Sequence, residues 1–367
     1  MRVVTESVHR PSYVLMWGWL ILLLLITGCE RDRITAGREG WLINTSEVAD
    51  GGPGKDGIPA LTHPPMVAAS EIDYLSPDDL VVGYRSGTDI RAYPHRVLDW
   101  HEIANVTIGG QQLAVTYCPL TGSALAWSRV INGETTTFGV SGLLYRNNLI
   151  PYDRATDSYW SQMRMDAVHG DLIETRADVM QVVETTWQTW QSMFPDSRVM
   201  SNATGVYPAV RYQQFPYGGY KTSSETLQPI AADLIDSRLH AKERVAGVIA
   251  NGSARVYRFA SFADSVRTLN DVYGGDSLVV VGSETDNFIM VFNRRLQDGT
   301  RLDFRAVQDR FPVVMVDQEG NDWDLLGRAV SGPRTGEQLS HPTAFLAYWF
   351  AWYLFYPNPE IFEFTSD

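Results

Sequence analysis

Short apolar runs separated by Gly and Asn turn signals fill the chain from residue 71 onward. Leu80-Val81-Val82-Gly83-Tyr84 and Ile90-Arg91-Ala92-Tyr93 flank Ser86-Gly87, the pattern of a β-hairpin. Val97, Leu98 and Ile103 supply the apolar positions of a short helix between Pro94 and Ile103. Gly109-Gly110 then turns the chain into a half-buried strand over residues 112–117. Leu125 to Val130 and Thr135 to Val140, joined by Asn132-Gly133, predict a second hairpin. Thr185 to Met193 reads as a helix with Trp187 and Trp190 on one face, ending at Pro195. Leu278 to Val281, Phe288 to Phe292 and Phe311 to Val316 are further strands. The aromatic run Phe345 to Tyr356 is too short to span a bilayer and predicts a buried helix.

The second part of this pattern repeats the first. Val81-Val82-Gly83 recurs as Val245-Ala246-Gly247, Arg91-Ala92-Tyr93 as Arg255-Val256-Tyr257, and Gly109-Gly110 as Gly274-Gly275. Trp187, Trp190 and Phe194-Pro195 recur as Trp349, Trp352 and Tyr356-Pro357, and the shift stays between 162 and 165 residues. A shift that steady marks an internal repeat. The expected fold is α+β and β-rich: two tandem units of antiparallel strands, each closed by a Trp-containing helix and packed as a pseudo-twofold pair. The expected boundaries are 1–28, a lipoprotein signal peptide; 29–70, a tether and docked extended segment; 71–205, repeat one; 206–242, a bridge rich in Tyr and Gly; and 243–362, a degenerate repeat two.

Composition adds location. Tyr13 to Ile26 is an apolar run preceded by Arg2 and Arg10, and it leads into Leu25-Ile26-Thr27-Gly28-Cys29. That is a signal-peptide core followed by a lipoprotein cleavage motif, with Cys29 as the lipid attachment. A membrane partner through that anchor and an extracytoplasmic place in the cell envelope follow. The formal net charge is −13, from 30 basic and 43 acidic residues. Loss of residues 1–28 removes Arg2, Arg10 and Glu6 and leaves the chain one unit more negative. Nucleic acid is excluded as a partner, because phosphate binding needs a basic face.

The repeat also acts as a control on candidate chemistry. Cys118, the other cysteine, falls on Ser283, and His101 on Ser265 or Val266. A thiol at a strand end, before Pro119 and a Gly-containing turn, is placed to act as nucleophile or metal ligand if an imidazole lowers its pKa. His101 is the natural partner, with Asp99 or Glu102 orienting it. Tyr117 and Ser141 are supporting positions. The spacing of His101 and Cys118 matches no standard zinc pattern, and a buried thiol with a hydrogen-bonded His is the competing structural reading. His95 and His169 read as surface residues. Ser141, in Gly139-Val140-Ser141-Gly142, lacks the spacing of a nucleophile elbow.

The motifs Gly54-Lys55-Asp56-Gly57-Ile58-Pro59, Arg91-Ala92-Tyr93-Pro94, Asp99-Trp100-His101-Glu102, Thr116-Tyr117-Cys118-Pro119-Leu120, Gly139-Val140-Ser141-Gly142-Leu143-Leu144-Tyr145 and Tyr159-Trp160-Ser161-Gln162 occur in that order. In them the chain resembles the bacterial domain-of-unknown-function family 3179. The resemblance implies an exported, often lipid-anchored protein and no assigned activity. Some relatives carry a second Cys after Cys-Pro-Leu. This chain has Thr121 there, so a resolving thiol for disulfide chemistry is missing. Three readings follow. The first is a protein of unassigned activity with a small-ligand or transition-metal pocket around Cys118 and His101. The second is a thiol-dependent enzyme with Cys118 as nucleophile and His101 as base. The third is a non-catalytic envelope scaffold whose aromatic helix docks a partner. The residues leave open whether there is catalysis, which ligand or metal binds, the oligomeric state and which membrane holds the anchor.

Overall fold

The computed structural model describes residues 40–363. The apolar run Tyr13 to Ile26 and Cys29 lie outside the described residues. Among the described residues no helix is long and apolar enough to cross a membrane. The architecture is α+β and β-rich, its α-helices being α1 (His95–His101), α2 (Trp187–Met193) and α3 (Trp349–Phe355).

In residues 71–205, β1 (Leu80–Ser86) and β2 (Asp89–Pro94) form the expected hairpin, turning through Gly87 at φ +61°. α1 follows at once. β3 (Ile103–Ile108), β4 (Gln111–Cys118) and β5 (Ser123–Ser128) then make an antiparallel meander. A second meander holds β6 (Phe138–Tyr145), β7 (Asn148–Asp153), β8 (Tyr159–Ser161) and β9 (Asp166–His169). β10 (Val183–Thr186) returns to pair with β1, α2 leaves it directly, and β11 (Arg198–Met200) runs parallel to β2. The preceding segment is docked by pairing: Val48–Asp50 on β6, Leu61–Thr62 on β3 and Met66–Ala68 on β11.

Residues 243–362 follow the same order. β12 (Arg244–Ala250) and β13 (Ser253–Arg258) form a hairpin, and β14 (Arg267–Tyr273), β15 (Asp276–Ser283) and β16 (Phe288–Asn293) form a meander. β17 (Phe304–Ala306), β18 (Val313–Asp317), β19 (Asp322–Asp324) and β20 (Ala329–Ser331) form another. β21 (Ala344–Tyr348) pairs with β12, α3 leaves it directly, and β22 (Glu360–Ile361) runs parallel to β13. Thus β10-β1-β2-β11 and β21-β12-β13-β22 agree strand for strand and direction for direction. The glycines show why. A Cβ on Gly83 would lie 2.0 Å from the Trp190 ring, and one on Gly247 2.3 Å from the Trp352 ring. In each sheet one strand gives up its side chain so that an indole lies on the backbone.

The closing helices also reach across. Trp187, Trp190 and Met193 of α2 share a core with Val279, Val281 and Phe288. Trp349, Phe350 and Trp352 of α3 share one with Cys118, Leu125 and Trp127. β10 packs beside β16, and β21 beside β5.

Three expectations change. The hairpin predicted across Asn132-Gly133 shrinks to Val130–Ile131 against Glu134–Thr135, because β5 pairs with β4 while β6 pairs with β7. Arg129 is the hinge: buried, it donates to the carbonyls of Leu113, Val106 and Thr136 and ends β5 there. The aromatic run is half strand, since Ala344–Tyr348 pairs with β12 before α3 begins. Trp349 and Trp352 are fully buried, so this helix offers no docking face to a partner.

Candidate functional site

α1 is short because Pro94 leads into it and Glu102 ends it in the left-handed region, at φ +56°. A non-glycine residue there is strained by about 1 kcal/mol. The tight exit lets β3 start at once, with the Glu102 carbonyl accepting from Tyr117 N at 2.7 Å. His95, Asp99, His101 and Glu102 are thereby all buried within one helix and its cap.

The residues singled out from sequence go to different places. His101 has no free nitrogen. Nδ1 lies 2.6 Å from the Pro59 carbonyl and Nε2 2.7 Å from Tyr212 Oη. A carbonyl only accepts, so Nδ1 carries the proton and Nε2 accepts from Tyr212, whose oxygen is also 2.6 Å from Thr204 Oγ1. Burial lowers the His101 pKa and keeps the ring neutral. Cys118 lies in the apolar core with α3, its Sγ 3.8 Å from the Asn147 carbonyl. Burial, with Glu102 nearby, pushes its thiol up to about 11, the reverse of activation. The expected base is therefore occupied elsewhere and the expected nucleophile is held as a thiol. Among the described residues no group of three His, Cys, Asp or Glu side chains is placed to hold a metal ion. Ser141 is structural, accepting from Leu143 N at 3.0 Å while donating to the Ile150 carbonyl.

What α1 does assemble is a buried polar cluster that the sequence reading left largely unnamed. His95, expected at the surface, is 4% exposed, its ring 4.1 Å from that of Tyr117. Its Nε2 lies 3.0 Å from Glu184 Oε2 on β10, close but poorly aligned for a hydrogen bond. Arg244, on β12, places Nη2 3.8 Å from the same oxygen. Asp99 Oδ2 is 3.4 Å from Lys221 Nζ of the bridging segment. Tyr348, at the end of β21, donates its backbone N–H to the Thr121 carbonyl at 2.8 Å and lies over Gly122.

Electrostatics follows burial. Desolvation raises Asp99 to about 6 despite Lys221, and Glu102 to about 8 despite a hydrogen bond to Tyr217. Desolvation lowers the His95 pKa against the pull of Glu184. Near neutral pH Glu102 is mostly protonated and His95 neutral, which leaves Asp99 and Glu184 facing Lys221 and Arg244. Buried polar atoms nonetheless lack hydrogen-bond partners: His95 Nδ1 and Nε2, Asp99 Oδ1, Glu184 Oε1 and Oε2, and Arg244 Nη2. Glu184 also lines a small cavity between the halves, with Gln181, Met290 and Phe345.

Glu184, Arg244, Lys221 and Tyr348 escaped the sequence reading. One signal was available: at a shift of 162, Glu184 in Val183-Glu184-Thr185 falls on Leu346 in Phe345-Leu346-Ala347, and the strand pairing agrees. The cluster also draws on both halves and the bridge, so the candidate chemistry is not confined to residues 71–205.

No curated protein and no solved structure matches this chain. Residues 55–359 match the family model described as protein of unknown function (DUF3179), a span that takes in the first sheet, the second as far as β21, the bridge and every residue of the buried cluster, and the chain belongs to that family.

Proposed function

We propose that this chain is a lipid-anchored protein of the cell envelope that binds a small, donor-rich solute where two duplicated β units meet. The anchor is supported by the apolar run ending in Leu25-Ile26-Thr27-Gly28-Cys29. Duplication is supported by the matching sheet orders and by the exchange of closing helices, which a pseudo-twofold relation between 71–205 and 243–362 accounts for.

The observation that carries the binding reading is the set of unpaired buried atoms on His95, Asp99, Glu184 and Arg244. A buried atom with no partner costs about 1–3 kcal/mol, and less where an opposite charge is close, as for Glu184 Oε2 beside His95 Nε2 and Arg244 Nη2. At two of these positions residues 243–362 reach the same architecture without that cost: Phe259 and Leu346 stand where His95 and Glu184 do, and a 3-10 turn, Phe259–Ser261, replaces α1. A cost that one unit carries and the other avoids is a mark of a site kept for use. The unpaired set is also rich in acceptors. Three carboxylate oxygens and one nitrogen of neutral His95 face one guanidinium N–H group and one imidazole N–H. A ligand that completes them brings N–H or O–H donors. Of the set only Glu184 lines the adjoining cavity, which has room for about one water, so the solute has few heavy atoms and enters from the Glu184 side.

The test is thermal unfolding of the full chain with ammonium, methylammonium or ethylene glycol at millimolar concentration. A saturable rise in Tm with at least one of them, absent from the His95→Phe/Glu184→Leu double variant, is expected. No saturable shift, or the same shift in the double variant, sinks the reading.

A further inference from the structure

A second site lies at the junction, apart from the buried cluster. A groove of about 400 Å3 separates the halves, within the range of small-molecule pockets. One wall comes from Tyr84, Arg85, Gln111 and Met180, the other from Met290, Phe292, Leu326 and Arg328. A smaller hollow of about 260 Å3 continues it, sharing Gln181 and His341.

Its polar groups are unequal. Arg85 is neutralised, Nη1 lying 2.5 Å from Asp324 Oδ2 and Nη2 3.3 Å from Gln338 Oε1, with both ion-pair partners almost fully buried. Gln111 Oε1 accepts from Tyr84 Oη at 2.8 Å, which leaves the Gln111 amide N–H groups without a protein acceptor. Arg328 is different. Among the described residues its guanidinium has no hydrogen bond and no ion pair, and no carboxylate lines the larger hollow. An unneutralised guanidinium over an apolar floor of Met180, Met290, Phe292 and Leu326 is unusual in a chain of net charge −13. Guanidinium is also the side-chain group best shaped for carboxylate or phosphate.

We infer that this groove binds an amphipathic anion, a carboxylate or phosphate ester carrying a short apolar chain, with Arg328 on the headgroup and Met290 and Phe292 against the chain. The inference is independent of the buried cluster and survives if that site binds nothing.

Isothermal titration of the full chain with octanoate and with octyl phosphate tests it, with octylammonium, acetate and inorganic phosphate as controls. One or both octyl anions bind at one per chain, and the tighter of them identifies the headgroup. Octylammonium and the bare headgroups bind at least about ten-fold more weakly. Arg328→Gln weakens the anion about ten-fold or more, and Arg328→Lys, which keeps the charge but loses the planar fork, weakens it less. Leu326→Glu, which sets a carboxylate in the floor, abolishes binding. Because the Arg328 side chain holds nothing in the fold, its variants keep the unfolding temperature of the parent. Absence of binding by both octyl anions, octylammonium binding as tightly as they do, or Arg328→Gln binding unchanged overturns the inference.

Discussion

Asn105 bonds both the N–H and the carbonyl of Phe138, and Asn270 does the same to Phe304. Asp153 accepts from the Trp160 indole at 3.1 Å, and Asp317 from Trp323 at 2.8 Å. Arg129 and Arg294 are both buried at the end of a meander and donate to nearby carbonyls, with only Nε of Arg294 left over. These polar groups occur in both halves and are almost fully paired. His95, Asp99 and Glu184 occur in the first half alone and are not. Paired buried groups define the fold, because losing one partner strands the other. An unpaired polar atom adds no such constraint. The difference separates scaffold from candidate site more sharply than burial does, since Asn105, Arg129, Asp153 and Asp317 are as buried as His95, Asp99 and Glu184.

The comparison can be broken by experiment. The largest effect belongs to the shared scaffold. Trp190→Ala and Trp352→Ala each empty an indole-sized space over a strand glycine and cost about 3–5 kcal/mol in denaturant unfolding. Equal costs are expected, and a tolerated Trp352→Ala would show that the second sheet does not depend on the same contact.

Next comes the unpaired set. His95→Phe with Glu184→Leu installs the residues of the second half and is expected to stabilise the chain by about 1–4 kcal/mol, as when buried charges give way to apolar groups. A clear loss of stability would mean that the cluster serves the fold after all.

The pH dependence is smaller and has a definite sign. Glu102 titrates at about 8 in the folded protein and near its ordinary carboxylate value when unfolded, so the folded state holds the extra proton. Stability therefore falls as pH rises toward 8. Between pH 6.5 and 8 the slope is at most about 1.4 kcal/mol per pH unit. Asp99, at about 6, titrates mainly below that window, and the buried His95 and His101, whose pKa values are lowered in the fold, oppose the slope only near its lower edge, where unfolded histidine is still partly protonated. Glu102→Gln should flatten the slope. Lys242, lowered to about 8 by burial, opposes this slope toward pH 8, so the comparison is between wild type and Glu102→Gln: equal slopes over pH 6.5–7.5 would show that Glu102 is ionised in the fold.

The smallest effect is a rate. With its thiol near 11, Cys118 is roughly one part in a thousand thiolate at pH 8. Iodoacetamide should label it only after denaturant is added, and rapid native labelling would restore it as a nucleophile.

Much of this architecture is readable from residues alone, and the reasons are local. The Leu80–Ser86 hairpin strand, the Gly109-Gly110 turn and the Trp helices follow from alternation and from glycines with few other uses. The paired Asn, Arg, Asp and Trp positions also recur at the same shift, but single polar residues carry no periodicity to draw the eye. The site was less legible because its members are set by packing. Asp99 and Glu102 were recognised beside His101, yet the partners they meet, Lys221 and Tyr217, come from the bridge. His95 follows a proline in a polar context and looks exposed until Tyr117 covers it. The pairing of His101 with Cys118 failed because a strand alternates its faces: Tyr117 faces the core on α1's side of the sheet and Cys118 the opposite core.

The exchange of closing helices bears on how this chain comes into being. Leu125 and Trp127 appear early in synthesis, but the core they belong to also takes in Trp349 and Trp352 of α3, more than two hundred residues later. Trp187 and Trp190 likewise wait for Val279 and Phe288. Neither half completes its interior alone, so the nascent chain holds open apolar surfaces until β21 and α3 emerge. Contacts this distant in sequence make folding slow and leave the intermediate prone to aggregation.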